Sequence, residues 1–223
     1  MTKEKDKKLP VSAICFDLDG TLLDTVPLIV QSHQAALSEF PDLANDVPFL
    51  VSTIGLPLEY VYNDERLGRG SEGLMQRFID HNVSNTKTSI AVFRGIVPML
   101  DGLRALGIPL GVVTAKRRTH AILALELFDL LPYFGTIIGR EDTKKHKPDP
   151  APLIKALDQL GVEDEKRLLY IGDAVYDLMA ANNLGCYAGA VAWSQTPEAE
   201  LRKQQPTLWI ENALHLPDLV LPA

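Results

Sequence analysis

The chain has 223 residues, 46% hydrophobic and 23% charged, enough apolar material for a full core in one domain or in one domain carrying an inserted lobe. Its formal net charge of −7 argues against a nucleic-acid surface, because phosphate backbones are gripped by clustered Lys and Arg. No apolar run approaches the roughly twenty residues that span a bilayer, and the charged start Met1–Lys8 does not read as a signal peptide, so a cytoplasmic protein with no membrane partner is expected.

Taken in order, Val11–Asp17 predicts the first strand. Its apolar run Ile14–Phe16 has the character of a buried parallel strand and delivers Asp17 and Asp19 into a turn at Gly20. Ligands of an open α/β sheet sit beyond the carboxyl ends of its strands, and two carboxylates placed there need a compensating cation or proton. Asp24 as a cap, with Pro27 close behind, opens a helix over Leu28–Phe40. Leu56–Leu67 and Glu72–Asn82 give two more helical patterns, separated by Gly68 and Gly70, and no strand is read between Pro27 and Ala91.

From Arg94 helix and strand alternate. Helices are predicted over Val97–Leu106, Arg118–Phe128, Pro150–Leu160 and Val175–Leu184, and strands over Ile108–Thr114, Gly135–Gly139, Arg167–Gly172 and Cys186–Val191. The tail, Glu198–Lys203 and Leu208–Leu219, adds helix and a short edge strand. Such alternation predicts an α/β fold, a parallel sheet covered on both faces by helices. Residues 1–24 and 92–223 form this catalytic core, and the all-helical block 25–91 is read as an inserted cap. Cys15 and Cys186 lie in apolar runs and are expected to be reduced core residues.

Three of the predicted strands end in polar residues that can meet at one sheet edge: Asp17 with Asp19, Thr114, and Asp173 with Asp177 one helical turn on. Lys147, in K-P-D-P, stands at the entrance to a helix. Singly, each has an ordinary role as a cap, a turn residue or a surface charge; together they suit phosphoryl transfer. A carboxylate such as Asp17 can attack phosphorus and form an aspartyl-phosphate that water then hydrolyses. The incoming phosphate is anionic, so a hard cation bound by oxygen, Mg²⁺, is expected between Asp17 and Asp173. Lys147 supplies a point charge and Thr114 a hydroxyl donor to the phosphate. Asp19, two residues on, can give a proton to the leaving oxygen and later take one from water.

F-D-L-D-G-T, V-V-T-A, K-P-D-P and G-D-A-V-Y-D resemble the four ordered motifs of the haloacid dehalogenase superfamily, over Val11 to at least Ala190. The resemblance implies a Rossmann-like core with central strand order 5-4-1-2-3 and a helical cap inserted after the first motif. It implies Asp17 as nucleophile and Asp19 as general acid/base. Mg²⁺ would be held by Asp17, the backbone carbonyl of Asp19, and Asp173, with Asp177 behind them. Thr114, the backbone N–H of Ala115 and Lys147 match phosphate-binding positions; many relatives carry Asn where this chain has Ala115.

An acid at Asp19 sets the chain apart from the dehalogenases, whose halide leaves without a proton. Length, the small cap and G-A-V-A-W at Gly189–Trp193 are most similar to the phosphoglycolate phosphatase group and its bacterial pyrophosphatase relative. The expected activity is therefore hydrolysis of a small phosphorylated metabolite, 2-phosphoglycolate or inorganic pyrophosphate leading. The alternatives are a phosphoryl-transferring mutase of the β-phosphoglucomutase type and a non-catalytic phosphometabolite-binding module. Specificity is expected to reside in the cap, through Thr53–Pro57 entering the site, or through Arg66, Arg69 or Arg77 gripping a carboxylate. The five histidines show no metal spacing and receive no role.

Overall fold

The structure, a computed structural model, describes residues 8–67 and 73–223. Its elements run β1 (Leu9–Val11), β2 (Ala13–Phe16), β3 (Leu23–Asp24), α1 (Val26–Ala36), α2 (Pro41–Ala44), α3 (Val47–Ser52), α4 (Glu59–Tyr62) and α5 (Leu74–Ser89). They continue with β4 (Ala91–Val92), α6 (Ile96–Ala105), β5 (Leu110–Val113), α7 (Arg118–Leu127), β6 (Thr136–Ile138), α8 (Ala151–Leu160), β7 (Leu168–Gly172), α9 (Val175–Leu184) and β8 (Tyr187–Val191). The chain closes with α10 (Glu198–Lys203), β9 (Leu208–Ile210), α11 (Leu216–Leu219) and β10 (Val220–Pro222).

The main sheet has six parallel strands in the order β6-β5-β2-β7-β8-β9. Its two faces are visible in the sequence of β2, because successive side chains leave a strand on opposite sides. Ile14 and Phe16 join the cluster that holds Met99, Leu103 and Leu125 from α6 and α7. Ala13 and Cys15 join the cluster that holds Leu153, Leu157 and Leu178 from α8 and α9. Both cysteines are free, and burial pushes their thiols up to about 12. The strand expected over Val11–Asp17 is shortened to β2, Ala13–Phe16. Ser12 breaks it, sending its N–H to Arg167 O at 2.9 Å, and β1 pairs instead with β10 at the end of the chain.

Helices α1 to α5 build a third apolar cluster from Leu37, Leu50, Val61, Leu74 and Phe78. The chain leaves and re-enters the core through a short antiparallel ribbon, where Leu23 faces Val92 and Asp24 faces Ala91. Helix α3 escapes the apolar periodicity, yet it carries a start signal: Asp46 accepts from Phe49 N at 3.1 Å, and Pro48 stands in the first turn. The helix expected over Leu56–Leu67 is confined to α4 at its regular part, and the one expected over Glu72–Asn82 runs on to Ser89. Gly68, Arg69, Gly70 and Glu72 lie outside the described residues.

His33, on α1, is fully enclosed in this helical cluster. Its ring lies 4.4 Å from that of Phe78, and its Nδ1 is 2.9 Å from the Tyr62 hydroxyl. Burial lowers its pKa to about 4, so the imidazole folds neutral. Between the ordinary value of about 6.5 and this lowered one, the unfolded chain binds the extra proton, so stability falls as pH falls through that window. The cost between pH 7 and pH 5 is about 2 kcal/mol. Urea unfolding at the two pH values is expected to show this difference shrinking by that amount in His33→Gln, which keeps a polar partner for Tyr62 but does not titrate. An unchanged difference would mean that the histidine does not fold neutral.

Candidate active site

Because β5, β2 and β7 are neighbours and parallel, the residues that follow them share one sheet edge. Asp17 leaves β2 with its N–H on Ile171 O at 2.8 Å, and Thr114 leaves β5 with its N–H on Ile138 O at 3.0 Å. Asp173 follows β7 directly. Gly20 turns the first loop with φ +80°, and it has no room for a side chain: a Cβ there would sit 2.2 Å from Asp173 Oδ2. The Gly20 backbone thus closes over Asp173, while the Thr21 hydroxyl donates to Asp173 Oδ1 at 3.0 Å.

Asp17, Asp173 and Asp177 bring carboxylate oxygens within 4.8 Å of one another, all buried. One ammonium stands among them. Lys147 Nζ donates to Asp177 Oδ1 at 2.6 Å and lies 3.0 Å from Asp17 Oδ1. The second contact is an ion pair without hydrogen-bond direction, so Asp17 Oδ1 is buried yet accepts no hydrogen bond among the described residues. Below them the Tyr170 hydroxyl accepts from Lys147 at 3.1 Å, and its single proton has two acceptors in reach, Val113 O at 2.9 Å and Asp177 Oδ1 at 3.2 Å. Asp177 Oδ2 accepts from Ala174 N at 3.0 Å, so the helix start after Asp173 is tied to the same network.

Charge follows from this crowding. Burial, only partly offset by Lys147, pushes the Asp17 carboxyl up to about 7. Burial, reinforced by Asp177 and Asp17, holds Asp173 well above the usual carboxylate range. Burial alone would lower Lys147, but Asp17 and Asp177 outweigh it and raise it. Three carboxylates facing one ammonium leave room for a further positive charge. A buried oxygen on no donor, crowded acids and all-oxygen chemistry fit a hard divalent cation.

Asp19 stands apart from the acid cluster. Lys116 spans it, with Nζ 2.9 Å from each carboxylate oxygen, and Lys116 N–H donates to Thr114 Oγ1 at 3.2 Å. Asp17, Asp19, Thr114 and Ala115 line a cavity of ≈ 100 Å³, closed on its other side by α1, α5 and the loop Thr53–Leu56. That loop packs against the site: a Cβ on Gly55 would lie 3.3 Å from Ala174 Cβ. The cavity cations, however, come from the core. Lys116, Arg117 and Arg140 line it, with His120 beside them. Arg66 is engaged by Asp64 at 2.8 Å and Arg77 by Glu39 at 2.9 Å, both on the surface and off the cavity; Arg69 lies outside the described residues.

Tyr170, Lys116 and Arg140 escaped the sequence reading. Tyr170 is hidden in an apolar strand run, and the only signal for Lys116 was its place two residues after Thr114. His33 and His120, given no role, also line the cavity. The helical start at Val175 and its stop at Leu184 match the expectation, which is what sets Asp177 one turn behind Asp173.

Comparison with known proteins extends the geometry to a family. The haloacid dehalogenase-like hydrolases match the chain over residues 14–191. Pyrophosphatase PpaX of Bacillus velezensis is 31% identical over 203 residues, covering 91% of this chain and 93% of that protein. Phosphoglycolate phosphatase of Neisseria meningitidis is 30% identical over 214 residues, covering 92% and 91%. A crystal structure provisionally assigned as a haloacid dehalogenase-like hydrolase of Bacteroides fragilis superposes with a TM-score of 0.83 at 26% identity, covering 92% of this chain and 99% of that one. With that match spanning every strand end of the site, the chain belongs to the haloacid dehalogenase-like hydrolase family and is a phosphatase-type hydrolase.

Proposed function

We propose that the protein is a Mg²⁺-dependent phosphatase that hydrolyses a small phosphorylated metabolite through an aspartyl-phosphate on Asp17, with 2-phosphoglycolate or inorganic pyrophosphate as the leading substrates. The observation that carries this reading is the buried cluster of Asp17, Asp173 and Asp177 around a single lysine, at the end of a cavity that also holds Asp19. The names of the relatives supply the two leading substrates.

In this reading residues 1–24 and 92–223 are the catalytic core, and 25–91 is a cap whose loop Thr53–Leu56 closes the cavity and excludes water. Asp17 and Asp173 hold the cation, with the backbone carbonyl of Asp19, and Asp177 fixes Lys147 behind them. Bound there, Mg²⁺ neutralises charge on the phosphoryl oxygens. Thr114, the Ala115 N–H and Lys147 orient the phosphoryl group. The free Asp17 oxygen attacks phosphorus, the bond from phosphorus to the leaving oxygen breaks, and Asp19 gives that oxygen its proton. Asp19 then takes a proton from water as the water oxygen bonds to phosphorus, releasing phosphate and restoring Asp17.

Three outcomes follow. EDTA is expected to abolish phosphate release and added Mg²⁺ to restore it; full turnover in excess EDTA would remove the metal from the scheme. Acid-quenching with ³²P-labelled substrate is expected to trap a hydroxylamine-sensitive label on the wild type that is missing in Asp17→Asn, whose turnover should fall to background. A label of equal intensity in that variant would place the covalent step elsewhere.

The third concerns Asp19. General acid assistance is worth about 10²–10⁴-fold, and 4-nitrophenolate needs little of it to leave. Asp19→Asn is expected to slow the burst by roughly that factor on an alkyl phosphate and visibly less on 4-nitrophenyl phosphate. Equal burst losses on both would assign Asp19 a positioning role.

A further inference from the structure

The proposed chemistry uses the carboxylates and Thr114 and leaves the cations that line the same cavity unexplained. Lys116 and Arg140 come from the loops after β5 and β6, and the backbone stitches these loops together: Arg140 N–H donates to Lys116 O at 3.0 Å. Gly139 lies so close to the start of α7 that a Cβ would stand 2.3 Å from Arg118 N, and Arg118 N–H in turn meets the Glu141 carboxylate at 3.2 Å. The two cations are therefore carried side by side on fixed main chain.

Arg140 is only partly satisfied. Arg140 Nη2 donates to Glu59 Oε1 across to α4, but its Nε–H and Glu59 Oε2 are both buried without a partner among the described residues, so the pair is held by one arm of the guanidinium. A buried guanidinium donor without an acceptor calls for one, and the planar fork of arginine suits a carboxylate or a phosphate. Lys116 touches both oxygens of Asp19, the group placed at the leaving oxygen, so its ammonium stands where the atoms next to that oxygen must lie. His120 reports the same field: burial first, and then Lys116 and Arg117, lower its pKa. The rest of the cavity wall is largely apolar, with Ile29, Ile54, Met75 and Phe78, a poor match for the hydroxyls of a sugar.

We propose that Lys116 and Arg140 form a subsite for a second anionic group carried by the leaving group of the substrate, a carboxylate or a phosphate within two or three bonds of the scissile oxygen. This rests on the reading of Asp17 and Asp19 given above. It makes the cavity bipolar, with the transferring phosphoryl at the carboxylate cluster and the second anion at the loops after β5 and β6. It also places selection among substrates on the core side of the cavity.

The test compares kcat/KM for 2-phosphoglycolate and pyrophosphate, whose leaving groups are anionic, with ethyl phosphate and 4-nitrophenyl phosphate, whose leaving groups carry no second anion. In Lys116→Met and in Arg140→Gln the ratio of anionic to neutral substrates is expected to fall about 10- to 100-fold, the loss of one charge-assisted contact. Lys116→Arg is expected to restore most of the ratio. Glu59→Gln, which frees Arg140, is expected to keep the ratio at or above the wild-type value. Whichever anionic substrate shows the larger fall names the carboxylate or the phosphate as the natural group. Where a variant is silent on all four, the same ratio is read from dissociation constants for 2-phosphoglycolate and ethyl phosphate in the Asp17→Asn background.

Unchanged ratios in both Lys116→Met and Arg140→Gln would overturn the subsite. So would an equal loss on all substrates shared by Arg140→Gln and Glu59→Gln, which would make their pair a latch between helices and core. Failure of the underlying phosphatase reading looks different: the wild type would release no phosphate from any of the four, or Asp17→Asn would release it as fast.

Discussion

Everything at the sheet edge depends on one buried ammonium. Lys147 stands between Asp17 and Asp177, itself resting on the Tyr170 hydroxyl, and these four side chains are almost wholly out of water. Removing one partner from a buried pair typically costs roughly 3–5 kcal/mol, because the other charge is left without compensation. That cost binds segments distant in sequence: the end of β2, the loop before α8, β7, and the first turn of α9. The Tyr170 proton adds the end of β5 through Val113 O, the residue before Thr114. A single positive charge thus sets the spacing of the strand ends that the proposed chemistry uses.

The same charge is too small for its surroundings. Three carboxylates share it; burial first, and then their mutual repulsion, raises the pKa values of Asp17 and Asp173. Folding tolerates the crowding because the main chain enforces it: parallel neighbours β2 and β7 bring Asp17 and Asp173 together, and Gly20 closes over Asp173 with no side chain of its own. Crowding of this kind is common at functional sites, where local stability is given up for chemistry. Two donors outside this charge set fix the carboxylates: the Thr21 hydroxyl on Asp173 and the Ala174 N–H on Asp177.

The helical segment contributes shape more than charge. Arg66 and Arg77 pair with acids on the surface, and the inner face of the segment offers the cavity apolar side chains and the Thr53–Leu56 loop. Glu59 is the exception, reaching across to Arg140. Dividing the work this way places charge on the loops of the sheet and apolar walls on the helices that face them.

Much of this was legible in the sequence, for a physical reason. A buried parallel strand needs an apolar run, and a polar residue that ends such a run must stand at the sheet edge; Asp17, Thr114 and Asp173 are all announced in this way. The Val175–Leu184 helix places Asp177 by its 3.6-residue period. The split between β1 and β2 and the pairing of β1 with β10 were hidden, since Ser12 is an ordinary residue whose bond to Arg167 O exists only after folding. Tyr170, inside an apolar run, gave no sign that its hydroxyl would sit under Lys147. Nor could any spacing show that Arg140 would lie beside Lys116, because their partnership is one backbone hydrogen bond between loops of adjacent strands. Local pattern determined which residues end the strands; only the order of strands and the approach of loops decided which charges meet.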